Sequence, residues 1–326
     1  MTRYPSLSSR ARAGIRSQTR PTTTRTRGAA ALFCLIPLQA CSSPEEKPEP
    51  PEFEVFRPAA FDSPRSPIGP FLMELDNSIE RWQALTLGAD NENDRRMKKL
   101  LEEHISYSAR KRLHDLIGEL QSRAPFNRMV AAAALGFTEA EAALGPLLAS
   151  LDDSSPEVVA NALLGLALLG NRDTPLAEIT ILLAEGVNET TRANAAYAVR
   201  EVLEAGGSGT GVLTAARTGL RDESSLVRTH SALILAHEMD TGSLSLLEYQ
   251  LEDETPLAAL AAARSLAYIG QRDRHQLATV AMALAGALDT SEDVVRAGIL
   301  RYLRLLSEAN YGKEQEEWVE WAARLQ

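Results

Sequence analysis

Four stretches of this chain repeat one pattern: LDDSSPEVVANALL from Leu151, LRDESSLVRTHSAL from Leu220, LEDETPLAALAAAR from Leu251 and LDTSEDVVRAGILR from Leu288. Each has a boundary Leu, one or more acids, a short polar turn and then an Ala/Leu-rich run. Leu120 opens a fifth copy. Eight residues after these leucines stand Arg128, Val159, Arg228, Ala259 and Arg296. A shorter unit, LLAEGVNETTRANAA, places Arg192 five residues after Val187. From one such position to the next the intervals are 31, 33, 36, 31 and 37 residues. A period in this range is the signature of a stacked repeat array, in which a unit too small to bury its own apolar face leans on its neighbours.

The period inside each unit is helical. Counting from the Arg128-type position as zero, small or aliphatic residues fall at +3, +4 and +7. These are Ala162, Leu163 and Leu166; Ala195, Ala196 and Val199; Ser231, Ala232 and Leu235; Ala262, Ala263 and Leu266; Ile299, Leu300 and Leu303. At about 100° per residue they form one stripe. Runs such as LSLLEYQL and VAMALAGAL precede them as partner helices. Hydrophobic residues are 44% of the chain but aromatics only 5%, with Ala and Leu foremost. That composition favours closely packed helices over strands.

The D…VR..AA..L pattern, clearest at Asp222–Leu235 and Asp289–Leu303, resembles the HEAT repeat. It resembles especially the short bacterial forms related to phycobilin-lyase HEAT-like repeats. The resemblance covers residues 107–326. It implies an all-α, right-handed α-solenoid of about six helix pairs, with capping helices at both ends. It also implies a ladder between repeats made by the turn Asp and the helix Arg, here Asp222 with Arg228 and Asp289 with Arg296. Val159 and Ala259 break that ladder, Arg192 has Asn188 in place of the Asp, and a looser or irregular superhelix is expected at those joints.

The ends carry capping patterns. Phe71, Leu72, Leu75, Ile79 and Trp82 form one apolar stripe, and Met97, Leu100, Leu101 and Ile105 a second, with a loop between. Trp318, Trp321, Ala322 and Leu325 follow i, i+3, i+4, i+7 spacing and close the C-terminal end. The expected division is residues 1–40 as a signal peptide, 41–69 as a linker, 70–106 as N-terminal capping helices, 107–311 as the solenoid and 312–326 as the C-terminal cap.

Residues 1–40 hold seven Arg and no acid, and end in an apolar run of about thirteen residues. This is too short to span a bilayer and fits the core of a secretory signal. Leu38-Gln39-Ala40-Cys41 resembles the lipobox of bacterial lipoproteins. The resemblance implies cleavage between Ala40 and Cys41, lipid on Cys41, and a protein anchored in the bacterial cell envelope, at the outer membrane or periplasmic face. A secreted or organelle-targeted protein is the alternative. The acidic, Pro-rich stretch after Cys41 suits an extended spacer.

Beyond residue 40 the chain has 27 Lys and Arg against 44 Asp and Glu, which disfavours nucleic acid as a partner. Its two cysteines, Cys34 and Cys41, both belong to the leader and its cleavage site. AGGSGTGV lacks the Lys-Ser/Thr ending of a phosphate loop, and no GxSxG or HExxH occurs. His230 and His237 are seven apart, not the three or four of a helical metal pair. No catalytic residue, cofactor or metal is expected. The functional expectation lies on the opposite helix face, at +2, +5 and +9. HEAT-like arrays turn that face of their second helices to the concave side. It would present Asn161, Asn194, Tyr197, His230, Leu233, His237, Arg264, Tyr268 and Arg301, along with Leu164, Leu168, Glu201 and Leu305, to a protein or peptide partner. The expected function is a membrane-anchored, non-catalytic scaffold. The alternative, by analogy with the lyases, is a HEAT-fold enzyme acting on a bound small molecule.

Overall fold

A computed structural model of the chain describes residues 67–88, 91–289 and 291–325. The signal peptide, Cys41 and most of the linker lie outside the described residues. Two helices, α1 (Ile68–Gly88) and α2 (Glu92–Lys111), precede six pairs. The pairs are α3 (Leu113–Glu119) with α4 (Pro125–Gly136), α5 (Leu144–Ala149) with α6 (Pro156–Leu169), and α7 (Leu176–Glu185) with α8 (Glu189–Glu204). They continue with α9 (Val212–Gly219) and α10 (Ser225–His237), α11 (Leu244–Tyr249) and α12 (Pro256–Arg272), and α13 (Leu277–Gly286) and α14 (Asp293–Ser307). A last helix, α15 (Gln315–Ala323), packs on α13. No strand occurs among the described residues. The second helices pack on one another in chain order from α4 to α14, which makes the protein an α-solenoid.

The second helices start where local chemistry tells them to. Pro125, Pro156 and Pro256 occupy first-turn positions, where a missing N–H costs nothing. α8 lacks the proline, and Asn188 caps it instead by accepting from the Thr191 amide at 2.8 Å. The +3, +4 and +7 stripe is buried in every unit, from Ala162 to Leu303.

α4 and α6 approach most closely through glycine. A Cβ added to Gly165 would lie 2.4 Å from the Ala132 carbonyl oxygen, and one on Gly136 2.5 Å from that of Gly165. The two backbones touch at this crossing, so only hydrogen fits.

Arginine links one repeat to the next, but not in the expected pairs. Arg128 holds Asp153 through Nε and Nη2 at 2.7 and 2.8 Å. Arg192 holds Asp222 at 2.6 and 3.1 Å, and Arg228 holds Asp253 at 2.6 and 2.8 Å. Each guanidinium reaches forward to the acid of the following repeat while its Nη1 binds a carbonyl of its own turn, Ser122, Gly186 or Asp222. The Asp222 carboxylate therefore bonds Arg192, and Arg228 meets only the Asp222 carbonyl. Arg296 instead donates to the carbonyls of Leu288 at 2.8 Å and Ser291 at 3.2 Å and lies 3.9 Å from an Asp293 carboxyl oxygen.

Each of the three acids stands two residues before the helix cap. Where the preceding helix has no Arg, at Val159 and Ala259, that place holds Gly186 and Thr290. Arg and acid are thus lost together, which spares the protein an unpaired buried charge. At the Val159 joint Asn194 donates across to the Ala160 carbonyl at 2.8 Å, so a different hydrogen bond ties α8 to α6.

These acids predict an acid-sensitive array. Arg128 holds the Asp153 carboxyl below its ordinary value, helped by the Ser155 amide and against the pull of burial. Burial acts to raise Asp253, but Arg228 and Thr255 outweigh it and the net shift is downward. A depressed folded-state pKa means stability that is complete above the unfolded value of about 4 and is lost as pH falls through the folded value. Urea unfolding between pH 5 and 2 should show that decline, and Arg128→Ala should flatten part of it. An unchanged slope in the variant would remove the rung from the account.

The caps hold with two corrections. Phe71, Leu72, Leu75, Ile79 and Trp82 are buried, and Trp82 meets Phe137 edge-on at 5.1 Å. On α2, Leu101, Ile105 and Ala109 are buried, but Leu100 is 49% exposed because the buried stripe runs one residue further round. At the other end Trp318, Trp321 and Ala322 are buried, with Tyr311 edge-on to Trp318 at 5.2 Å, while Leu325 lies past the end of α15 and is exposed.

Candidate functional site

The face opposite the buried stripe runs across α6, α8, α10, α12 and α14. Its residues fall into three groups. Leu164 and His230 are buried, against the expectation that they are open. Asn161, Leu168, Asn194, Tyr197, Glu201, Leu233, Arg264 and Tyr268 are half-buried, and His237, Arg301 and Leu305 are exposed. The helix phase read from the sequence is right for most of them. His230 is covered because Tyr197 of α8 stacks on it, and Leu164 joins the apolar core.

The two asparagines are partly used by the fold. Asn161 donates through Nδ2 to the Glu157 carbonyl one turn back at 2.9 Å, and Asn194 donates to Ala160. Asn161 thus bonds within its own helix, and only Asn194 ties two helices together.

Tyr197, Arg200, Glu201 and His230 form a polar knot between α8 and α10. The Tyr197 ring stacks on His230 with centroids 5.2 Å apart and planes 19° from parallel. The Arg200 guanidinium lies 5.1 Å from the Tyr197 ring centre, pairs with Glu201, and has its Nε 3.6 Å from a Glu204 carboxyl oxygen. Burial raises the Tyr197 phenol, and Glu201 adds to the shift. Burial likewise raises the Glu201 carboxyl, although Arg200 opposes it. His230 is 8% exposed, and burial with the Arg200 charge holds it neutral, far below the ordinary imidazole value. Its Nδ1 has no hydrogen-bond partner among the described residues. A sequence signal for this knot existed in Tyr197-Ala-Val-Arg200-Glu201, but Arg200 at +8 falls between the two stripes and was passed over.

The rest of the face is more open. Arg272 lies over the Tyr268 ring at 3.7 Å. Leu305 is 52% exposed on α14 beside exposed Arg301 and Arg304. Among the described residues no group of three or more His, Cys, Asp or Glu gathers to hold a metal. No described helix is long and apolar enough to cross a membrane.

No family model matches this chain, and no curated protein matches it. Solved structures that it resembles include the designed armadillo repeat protein YIII(Dq)4CqI, at 20% identity over 59% of this chain and 98% of that one, with a TM-score of 0.45. A second is an engineered protein, Northeast Structural Genomics Consortium target OR329, at 18% identity over 60% and 96%, with a TM-score of 0.46. A third is human deoxyhypusine hydroxylase in complex with glycerol, at 16% identity over 74% and 98%, with a TM-score of 0.33. The helix pairs described above, not these likenesses, define the class: a helical-repeat protein whose fold suits a scaffold.

Proposed function

We propose that this protein is a membrane-anchored, non-catalytic scaffold that holds a protein or peptide partner on the open face of its second helices, with Cys41 as the lipid carrier. The observation that supports it is the run of half-buried and exposed Tyr197, Leu233, His237, Tyr268, Arg301 and Leu305 on four consecutive second helices. Large aromatic and arginine side chains set on a rigid array are the residues that anchor protein interfaces. Tyr268 is the better anchor of the two tyrosines, since Tyr197 is locked against His230 and packs on the core.

Two measurements test this. Labelled fatty acid fed to the host should mark the wild type and not Cys41→Ser, and the variant should leave the membrane fraction. Equal fractionation with no label on either protein removes the anchor. Tyr268→Ala with His237→Ala should weaken crosslinked capture of the host partner by about 1–2 kcal/mol each while leaving the melting temperature nearly unchanged. Capture that is indifferent to both changes removes the open face as the binding surface.

A further inference from the structure

The open face is not uniform in charge. α12 carries Arg264 and Arg272 and no acid, and α14 beyond Asp293 carries Arg296, Arg301 and Arg304 and no acid. Elsewhere acids dominate, since the chain beyond residue 40 holds 27 bases against 44 acids. Two adjacent helices nearly free of carboxylate thus form a basic strip on an acidic protein, bounded by Asp273 and Glu308 just past their C-terminal ends.

Packing sets α12 against α14 along this strip. Leu260 of α12 seats against Gly298 of α14, where a Cβ would lie 2.2 Å from Leu260 Cδ2. One helical turn beyond this crossing, the charges of Arg264 and Arg301 both reach the Tyr302 phenol, where they oppose the upward shift caused by burial. A further turn along lie Tyr268, with Arg272 over its ring, and exposed Leu305. Arg296 is spent on the carbonyls of its own turn. Arg304 donates to Asn310 Oδ1 at 3.1 Å and the Gly312 carbonyl at 3.4 Å, both neutral acceptors. Arg272, Arg301 and Arg304 make no ion pair among the described residues.

We propose that the α12–α14 face docks an acidic, extended peptide segment of a protein partner, with its carboxylates on Arg272, Arg301 and Arg304 and its apolar side chains over Tyr268 and Leu305. The inference rests on the open face being the partner surface and specifies which part of it binds and to what chemistry. Guanidinium groups suit carboxylates because they bind them bidentately. Exposed Leu305 and half-buried Tyr268 give apolar side chains of such a peptide a place that a bare phosphate chain would not use. A short peptide also feels only the local field. A long polyanion or an anionic membrane would extend past the screening length of about 8 Å at physiological salt and meet the acidic remainder of the protein.

The test is fluorescence anisotropy of the full chain with a labelled dodecapeptide of repeating Leu-Glu-Pro-Glu units. Binding should weaken at least about tenfold when Arg301→Glu and Arg304→Glu are combined, or when the peptide glutamates are replaced by glutamine. Exposed Arg221→Glu, on the turn before α10, should leave it unchanged. A melting curve checks that the double variant folds, and Arg301→Gln with Arg304→Gln replaces it if it does not. The proposal is overturned if the charge variants bind the peptide as tightly as wild type, or if the glutamine peptide binds equally well. Tighter binding of a single-stranded oligonucleotide or of phosphatidylglycerol vesicles than of the acidic peptide overturns it too. Host-partner capture separates this inference from the broader reading. Capture lost with His237→Ala and Tyr268→Ala but kept with the Arg301/Arg304 variant sinks the acidic-peptide docking and leaves the scaffold standing. Capture unaffected by either pair removes both.

Discussion

Arg228→Ala is expected to cost about 3–4 kcal/mol of folding free energy, the range for breaking one side of a buried ion pair. The Arg228 side chain is 9% exposed and that of Asp253 is 4% exposed. The guanidinium binds both Asp253 oxygens and also donates to the carbonyls of Asp222 and Glu223, each at 2.9 Å. Truncation leaves a carboxylate and two carbonyls inside the repeat joint with fewer donors, although Thr255 still serves Asp253 through its amide at 2.8 Å and its hydroxyl at 2.6 Å. Adding Asp253→Asn to the variant should recover part of the loss, because the uncompensated charge is then gone. Arg217→Ala is the contrast. That residue also pairs with a buried acid, Asp240, at 2.6 Å, but its own side chain is 42% exposed, so water can replace it and the cost should be well below that of Arg228→Ala. Urea unfolding of the variants settles the matter: if Arg228→Ala unfolds within about 1 kcal/mol of wild type, the array is held by apolar packing and the ladder is decoration.

Gly165→Val should be comparably severe, about 3 kcal/mol, because the added side chain meets backbone that cannot rotate away. Its Cβ would lie 2.4 Å from the Ala132 carbonyl oxygen and 3.0 Å from Leu147 Cδ2. α6 must then lift off α4, and the buried contacts of both helices are opened together. Gly165→Ala should lose less, since alanine regains about 0.5–1 kcal/mol of helix propensity. Gly118 in α3 has nothing within 4 Å of a built Cβ, so Gly118→Ala should be neutral or slightly stabilising. Thermal melts of the three variants give the order Gly118→Ala, Gly165→Ala, Gly165→Val from most to least stable. A Gly165→Val protein as stable as wild type would mean that α4 and α6 do not come to backbone contact.

Both changes lie at joints between repeats, and joints are where reading the sequence and seeing the structure part company. The 31- to 37-residue spacing and the +3/+4/+7 stripe were enough to derive the helix pairs, and every residue of that stripe is buried. Those features act within one helix. Its period sets the angle of each side chain around its own axis, and its first turn sets where it begins. The candidate face followed from the same arithmetic, which is why Tyr197, Leu233, His237, Tyr268, Arg301 and Leu305 lie where the spacing puts them.

The tertiary structure decided what the next helix does to that face. His230 and Leu233 sit on the same side of α10, yet one is closed over and stacked on Tyr197 while the other remains half-open. Leu100 and Leu101 differ by one step around α2 and end on opposite sides of the surface. Asp222 is six residues from Arg228 in the chain, yet its carboxylate serves Arg192, thirty residues earlier, while Arg228 reaches back to the Asp222 and Glu223 carbonyls and forward to the Asp253 carboxylate. The sequence determined the identity and phase of each helix, because propensity and periodicity are local. Burial at the margins of the stripe, the partner of each charge and the gathering of Arg264 and Arg301 about Tyr302 depend on the crossing of separate helices. That crossing is set by side-chain sizes on both partners at once, such as Leu260 against Gly298, and no single segment encodes it.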